Sequence, residues 1–321
     1  MNDPTELLDV AKTVLISGSS GMLGSALSAA LISGGYSVRK LVRRIPQAPD
    51  EIQWNPEAPN AGLPASSSSH SSPELAGLQG LTAAIHLSGA NVASHRWTSS
   101  FKRQIAHSRV HTTAALSQVL ARLERPPQIF VSASAVGFYG NRGDAILDES
   151  SVAGDGFFPE LCTAWEEAAL PASKAGIRVV HPRFGVVLGK KGGALDRLRT
   201  LFGLGLGGRL GNGRQWMSWV SEADAVSAIR FTLERPDLAG PLNVTAPNPV
   251  TNADFTRQLA EHLHRPAFLT APAFALRLAF GEMANEALLS STRALPRRLI
   301  DSGFVFQHPA LQSALAAILP G

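Results

Sequence analysis

A glycine-rich turn constrains this chain more than any other feature, because it stands between an apolar run and a segment of helical periodicity. Residues 13–16 are mostly apolar, Gly18, Gly21 and Gly24 follow, and apolar residues then recur at helical spacing. In a strand–turn–helix unit the first glycine permits positive φ, the second lets backbone approach a phosphate, and the third lets the helix pack closely. The free N–H groups of the helix attract phosphate. The predicted contacts to a dinucleotide in this turn are Gly18, Ser20, Gly21, Met22, Leu23 and Gly24.

The end of the second predicted strand, residues 37–42, indicates which dinucleotide the turn would bind. Proteins that bind NAD usually carry an Asp or Glu about 20 residues beyond the turn, where it binds the ribose 2′-hydroxyl. This chain has Arg43 and Arg44 there. A guanidinium attracts a 2′-phosphate and binds it with two hydrogen bonds, whereas a carboxylate repels it. We therefore predict NADP(H) as the cofactor, with a solvated basic turn as the alternative.

Predicted strands and helices alternate after this unit, which is typical of a doubly wound parallel sheet. We therefore predict an α/β fold of the Rossmann type with a smaller C-terminal domain on the substrate side. The buried strands are expected at residues 83–87, 128–132 and 178–182, and the long helices at residues 99–123 and 158–175.

Changes in composition along the chain suggest the domain boundaries. The Rossmann domain is predicted at 12–189, with 220–248 returning to it, and the smaller domain at 190–219 and 249–321. Residues 46–80 contain six prolines and a serine tract. They are predicted to form a mobile surface loop without a function of its own.

Composition excludes several classes of protein. The net charge is only +4, no apolar stretch is long enough to span a membrane, and Cys162 is the single cysteine. His107 and His111 have the spacing of two helical metal ligands, but no glutamate completes a known motif, so no metal is predicted. We expect a cytoplasmic protein that acts on a small molecule, without nucleic-acid or membrane partners. Homodimers are common on this fold, although the sequence marks no interface.

Several specific motifs resemble the atypical, epimerase-family group of the extended short-chain dehydrogenases/reductases. The resemblance covers about residues 13–315, and its tryptophan-containing motifs are the specific part. These motifs are Arg96-Trp97-Thr98, Ser108-Arg109-Val110, Trp165-Glu166, Gly213-Arg214-Gln215-Trp216-Met217-Ser218-Trp219, Ala246-Pro247-Asn248 and Leu295-Pro296.

The resemblance implies further contacts to the bound cofactor. Beyond the glycine turn and the arginine pair, these contacts are expected at the ends of the third, fourth and fifth long strands and on the helix that faces them. The residues are Leu87, Ser88, Gly89, Ser108, Thr112, Ser132, Pro182, Arg183, Phe184 and Gly185.

The acid/base pair expected for this class is missing. Such enzymes use Tyr-x-x-x-Lys, in which the lysine lowers the pKa of the tyrosine. Phe158 and Cys162 stand at the expected helix position, and the Tyr36/Lys40 match lies on a strand. Ser134 remains as a catalytic candidate. Tyr139 is a second candidate, as a replacement acid or as a structural residue, and Glu166 is expected on the helix surface.

A second glycine-dense segment, residues 203–213, is predicted to face the substrate. An arginine, glutamine and tryptophan set beside it suits a polar or phosphorylated ligand, although the tryptophans would equally serve to pack the domain junction. The predicted substrate residues are Arg209, Gln215, Trp216 and Trp219.

Two functions remain open from the sequence. The first is oxidoreductase or epimerase-type hydride transfer on a polar substrate, with Ser134 and Tyr139 in catalytic roles. The second is a non-catalytic NADPH sensor or a cell-division-related interaction protein, which the missing tyrosine and lysine favour.

Overall fold

The computed structural model describes residues 12–57 and 77–319. Its centre is a parallel sheet in the order β13-β8-β5-β4-β1-β2-β3, with the short β6 also paired to β8. The strands, numbered in chain order, are β1 (Thr13–Ser17), β2 (Ser37–Val42), β3 (Glu51–Gln53), β4 (Ala83–His86), β5 (Ile129–Ser132), β6 (Ser134–Ala135), β7 (Ile146–Leu147), β8 (Arg178–Phe184), β9 (Val186–Leu188), β10 (Gly208–Leu210), β11 (Trp216–Met217), β12 (Trp219–Ser221), β13 (Gly240–Val244), β14 (Val250–Thr251), β15 (Leu269–Ala271) and β16 (Arg293–Ala294).

Helices cover both faces of the sheet. One face packs on α1 and α6 and the other on α2 and α4, because successive residues within each strand point to opposite sides of the sheet. The helices are α1 (Met22–Ser33), α2 (Ser99–Ala121), α3 (Phe157–Glu167), α4 (Leu170–Lys174), α5 (Gly193–Gly203), α6 (Glu222–Glu234), α7 (Asn252–Leu263), α8 (Ala273–Phe280), α9 (Arg297–Asp301) and α10 (Leu311–Ile318), with a 3₁₀ turn at Val136–Tyr139 and a π turn at Ala284–Leu288. The Rossmann-type prediction is confirmed.

The chain leaves the sheet after β8 and later returns to it. β13 pairs with β8 in parallel, and α6 packs against α1. A third cluster of buried side chains joins α5, α7 and α10 to β9 and β12. Residues 220–248 therefore contact the central sheet through β13 and α6. The domain boundaries themselves stay a prediction.

Two local predictions were wrong. Residues 46–80 are not a loop throughout, because β3 adds a parallel edge strand beside β2. The predicted mobility of the serine tract concerns residues outside the described ranges. The single helix expected at 158–175 is two, α3 and α4, separated at Ala168 and Ala169, just before Pro171. Among the described helices, none is both long enough and apolar enough to cross a membrane.

Candidate cofactor and substrate site

The glycine turn depends on the absence of side chains at its first and third glycines. Gly18 has φ +78°, and a Cβ there would lie 2.8 Å from the carbonyl carbon of Leu87. A Cβ at Gly24 would lie 2.1 Å from the Gly18 oxygen, so only glycine lets α1 start this close to the turn. At Gly21 the same atom would make an ordinary contact of 3.4 Å, so packing does not explain that glycine. These are the properties of a phosphate-binding turn.

A chain of buried hydrogen bonds fixes the neighbouring strand ends. The Ser17 hydroxyl lies 2.6 Å from His86 Nδ1 and 2.7 Å from the Ser88 hydroxyl, and His86 Nε2 lies 3.2 Å from the Thr112 hydroxyl. Burial lowers the pKa of His86 to about 4, so its imidazole is neutral. Since the Thr112 hydroxyl donates to the Ser108 carbonyl, His86 Nε2 is the donor and Nδ1 accepts from Ser17.

This chain of hydrogen bonds involves three of the predicted cofactor contacts, Ser88, Ser108 and Thr112. Ser88 is held beside Ser17, Thr112 is held beside His86, and the Ser108 hydroxyl accepts from the Ala90 N–H at 3.0 Å. Sequence reasoning missed Ser17 and His86. Their signal was available, since each is a polar residue at the end of an otherwise apolar strand.

The two arginines after β2 have different partners. Arg44 makes two hydrogen bonds to the Glu51 carboxylate, at 2.8 and 2.6 Å. Arg43 is exposed and has no hydrogen bond or ion pair with any residue in the two described ranges. Of the two predicted phosphate ligands, only Arg43 therefore has its guanidinium available.

Ser134 belongs to a buried network that extends from α3 across β8. Its hydroxyl donates to Glu166 Oε1 at 2.7 Å. Arg183 donates to both oxygens of the same carboxylate, at 2.8 Å each, and the side chains of Arg183 and Glu166 are only 4% and 13% exposed. The expectation that Glu166 lies on the helix surface was wrong, because its side chain turns from α3 toward β8 and pairs there with Arg183.

Tyr139 closes the far end of this network. It accepts from Arg183 at 3.1 Å, donates to Asn243 Oδ1 at 2.8 Å and is completely buried. Burial raises the pKa of its phenol. This placement favours the structural alternative for Tyr139, since both hydrogen-bonding directions of the hydroxyl are already in use.

The positions that usually hold the tyrosine and lysine are packed with apolar atoms. Phe158 stacks edge-on against Trp97, and a Cβ at Gly137 would touch both Phe158 and the Cys162 sulfur. Burial raises the pKa of the Cys162 thiol to about 12, so the thiol stays protonated. Neither side chain supplies acid/base chemistry.

The remaining predicted cofactor contacts lie at the ends of β5 and β8. The Ser132 hydroxyl is buried and lacks a hydrogen-bond partner among the described residues. Pro182 and Phe184 pair with Leu242 and Val244 of β13. A Cβ at Gly185 would lie 2.6 Å from the Ser218 carbonyl oxygen, so close packing already requires that glycine.

The predicted substrate residues do not form one group. Trp219 is completely buried and donates to the Asn248 carbonyl, as the packing alternative expects. Gln215 is buried and donates to the carbonyls of Leu210 and Leu288. Trp216 is partly exposed and carries the Arg293 guanidinium 4.0 Å above its ring.

Arg209 lines a separate depression of about 570 Å³ beside α7. Its Nε donates to the Thr270 hydroxyl at 3.1 Å. None of the residues lining this depression belongs to the strand ends around the glycine turn.

One trio of possible metal ligands occurs among the described residues. His107 and His111 stack on the exposed side of α2, and their Nε2 atoms lie 3.4 and 3.8 Å from Glu57 Oε2. The sequence could not show this carboxylate, because it comes from a distant segment. His111 Nε2 also lies 2.8 Å from the Pro56 carbonyl oxygen.

A parallel sheet with a phosphate-binding turn at its strand ends defines a dinucleotide-binding protein of the Rossmann type. The chain belongs to the NAD dependent epimerase/dehydratase family, whose model matches residues 14–245. Residues 271–318 match a second model, described as a domain of unknown function (DUF1731). The resemblance inferred from the motifs is confirmed.

Similar proteins cover nearly the whole chain. The epimerase family protein MT2273 of Mycobacterium tuberculosis is 44% identical over 310 residues, which are 96% of this chain and 98% of that protein. The crystal structure of human epimerase family protein SDR39U1 (isoform 2) with NADPH has a TM-score of 0.84 and 32% identity, covering 95% of this chain and 98% of the human one. The nucleoside-diphosphate sugar epimerase from Corynebacterium glutamicum has a TM-score of 0.76 and 36% identity, covering 96% of this chain and 58% of that chain.

Proposed function

We propose that this protein is an NADP(H)-dependent oxidoreductase acting on the carbinol or carbonyl carbon of a small polar molecule. The observation that carries the proposal is the 2.7 Å hydrogen bond from Ser134 to Glu166, with Ser134 beside the carboxyl end of β8 in the same parallel sheet that carries the glycine turn. An epimerase-type reaction, in which hydride leaves and returns to one carbon, uses the same groups. Cytoplasmic location and a homodimer stay predictions from the sequence.

NADP(H) fits the residues present. The N–H groups of the turn and the N-terminus of α1 would hold the pyrophosphate beside Gly21, the glycine of the turn that protein packing does not require. Arg43 would hold the 2′-phosphate. Human SDR39U1, whose structure contains NADPH, supports this cofactor. When bound, the cofactor would accept or donate the hydride at the substrate carbon.

Ser134 and Glu166 together replace the missing tyrosine and lysine. Because the Ser134 proton points at Glu166, the serine oxygen is left to accept a hydrogen bond from a substrate hydroxyl. During oxidation Ser134 takes the substrate's hydroxyl proton while its own proton passes to Glu166 Oε1. Reduction runs the two proton transfers in reverse. Arg183 donates to both oxygens of the carboxylate and so holds Glu166 in place beside Ser134.

Carbonyl reduction by the NADPH-loaded protein tests this function. Consumption of NADPH is followed by its absorbance across a panel of aldehydes and ketones, and oxidation of the matching alcohols is followed with NADP⁺. General acid–base groups contribute about 10²–10⁴-fold, so Ser134→Ala should lower kcat/KM by at least about a hundredfold. Ser313→Ala, an exposed serine whose hydroxyl bonds only the Ala310 carbonyl, is the matched control and should have no effect.

Glu166→Gln should lower kcat/KM to a similar extent, because an amide cannot take the proton from Ser134. Unfolding in urea is measured in parallel, since the substitution also weakens the buried pair with Arg183. Equal activity of wild type and Ser134→Ala, or absence of turnover with every member of the panel, would contradict the proposal.

A non-catalytic NADPH-binding protein is the second candidate. The observation that favours it is the apolar packing of Phe158 and Cys162 at the positions of the usual acid/base pair. Tight NADPH binding without turnover in either direction, together with a partner protein that binds only the NADPH-loaded form, would support this candidate over the enzyme.

A further inference from the structure

Arg109 on α2 is half-buried, with its guanidinium packed against an aromatic ring. Its guanidinium carbon lies 5.2 Å from the centre of the Trp165 ring, which is itself fixed by a hydrogen bond from its nitrogen to Thr113. Any side chain at Gly89 would meet this guanidinium at 3.0–3.3 Å.

The guanidinium of Arg109 has no carboxylate partner within the described ranges. It makes two long contacts of 3.4 Å from Nη1, to the Ile105 carbonyl and the Ser108 hydroxyl. Nε and Nη2 donate to no described residue, yet neither is sealed from solvent. Burial lowers the pKa of Arg109 to about 10, so the group is still charged at neutral pH. A partly desolvated cation without an anion loses some of its hydration, and a ligand that supplies the anion offsets that loss.

Arg109 lies near the side chains that the proposed reaction uses, Ser134 and Glu166. Cys162 is next to Ser134 and lies within the electrostatic influence of both Glu166 and Arg109. Trp165, under the guanidinium, immediately precedes Glu166 in α3. A Cβ at Gly18 would meet Leu87 and Ser88, whereas a Cβ at Gly89 would meet Arg109. Under the proposed function the glycine turn and Arg43 supply the contacts to the cofactor phosphates, which leaves Arg109 for a different anion.

We propose that Arg109 binds a carboxylate or phosphate group of the substrate, with the Trp165 ring covering one face of the guanidinium and leaving its N–H edges for two parallel hydrogen bonds. The substrate class is therefore an anionic carbinol or carbonyl compound. This inference rests on the proposed function, because the bound anion is part of a substrate only if the protein catalyses the proposed reaction. An anion of the cofactor itself would have the same chemistry, and the experiment separates the two sources.

Anion binding by the NADPH-loaded protein tests the proposal. Malonate and inorganic phosphate are titrated by calorimetry into protein saturated with NADPH, so that the cofactor's phosphates already occupy their own sites. Wild type should bind malonate. Arg109→Gln should weaken that binding at least tenfold, which is the effect of losing a charged hydrogen bond of about 1.5–3 kcal/mol. The affinity of the variant for NADPH should stay within twofold of wild type. Arg103→Gln, an exposed arginine on the same helix, is the matched control and should bind like wild type.

Arg109→Lys covers the case in which Arg109→Gln does not fold. Lysine keeps the charge and loses the planar fork, so malonate binding should weaken by an intermediate factor. Wild-type protein that binds neither anion, or variants that bind malonate like wild type, would overturn the proposal. Displacement of NADPH by malonate, or loss of NADPH affinity equal to the loss of malonate affinity, would assign Arg109 to the cofactor instead. Because the readout is binding, failure to find turnover would refute the proposed chemistry without altering this result.

Discussion

Adjacent residues of the same type have different roles in this protein, and Arg43 and Arg44 show it most directly. Arg43→Ala should weaken NADPH binding at least about tenfold, from the 1.5–3 kcal/mol of a charged hydrogen bond, and should leave NADH nearly unchanged. Arg44→Ala is the matched control, with a far smaller effect because its guanidinium already pairs with Glu51. Calorimetric titration with both cofactors measures the difference. Equal losses for NADPH and NADH in Arg43→Ala would contradict the assignment of the 2′-phosphate.

His86 predicts how stability depends on pH. Its pKa is about 4 in the folded protein, against an ordinary value of 6.5. Below pH 6.5 the unfolded chain takes up a proton that the folded protein refuses, so stability falls as the pH drops from about 6.5 to 4. The loss due to this group is on the order of 3 kcal/mol.

The measurement is the free energy of unfolding in urea between pH 7 and pH 4, for wild type and His86→Gln. The variant should be less stable at pH 7, and its stability should fall less steeply with acid. His181 contributes a loss of the same sign in both proteins, because burial lowers its pKa as well. Parallel pH profiles for the two proteins would show that His86 is not the source.

The sequence could mark only those features that depend on neighbours in the chain. The glycine spacing is such a local pattern, and the structure requires glycine at Gly18 and Gly24 for close packing, while their contacts to the cofactor stay a prediction. The pairing of Arg44 depends on β3, and the partners of Ser134 come from α3 and β8. No local pattern carries such information, because it arises only when the sheet forms.

At the scale of elements, two glycines at the start of α1 are needed for different reasons. Gly24 lets the helix pack against the turn, whereas Gly21 is expected to let the backbone approach the pyrophosphate. Gly24→Ala should destabilise the protein by about 1–3 kcal/mol, because its Cβ would overlap the Gly18 oxygen, and should weaken NADPH binding as α1 shifts. Gly21→Ala should keep its stability and lose only NADPH affinity. Urea unfolding and NADPH titration of both variants give the comparison. A Gly21→Ala protein that binds NADPH like wild type would contradict the close approach of pyrophosphate to this residue.

The elements missed or misjudged from the sequence share a physical cause. β3 is three residues long and is stabilised by pairing with β2, so its own sequence has no periodicity to detect. The break between α3 and α4 leaves apolar residues on both sides, and Ala169 and Ala172 pack into the same cluster as α2. Periodicity alone could not separate two consecutive helices that both pack against α2.

At the scale of the whole molecule, Asp224 joins the C-terminal segment to the sheet. This carboxylate is completely buried and accepts from the N–H groups of Gln307 and His308, at 2.7 and 3.0 Å, as well as from Ser221. Asp224→Ala leaves two N–H groups without partners, so the free energy of unfolding should fall by about 2–4 kcal/mol.

Urea unfolding measures this loss, and hydrogen exchange at Gln307 and His308 localises it. Exchange at these two amides should accelerate more than exchange in β4. Asp254→Ala is a suitable control, since this exposed carboxylate caps α7 through Thr251 without joining distant segments. Unchanged exchange at Gln307 and His308 would show that Asp224 does not hold the C-terminal segment.

The order of the sheet has a consequence for how the protein is made. β8 gains its outer neighbour only when β13 has been synthesised, and β7 pairs with β16, close to the end of the chain. On the ribosome, the nascent chain therefore exposes the unpaired edge of β8 throughout synthesis of the intervening segment. Such an edge invites pairing with other chains. Slow translation of residues 185–239 would lengthen this exposure and raise the risk of aggregation.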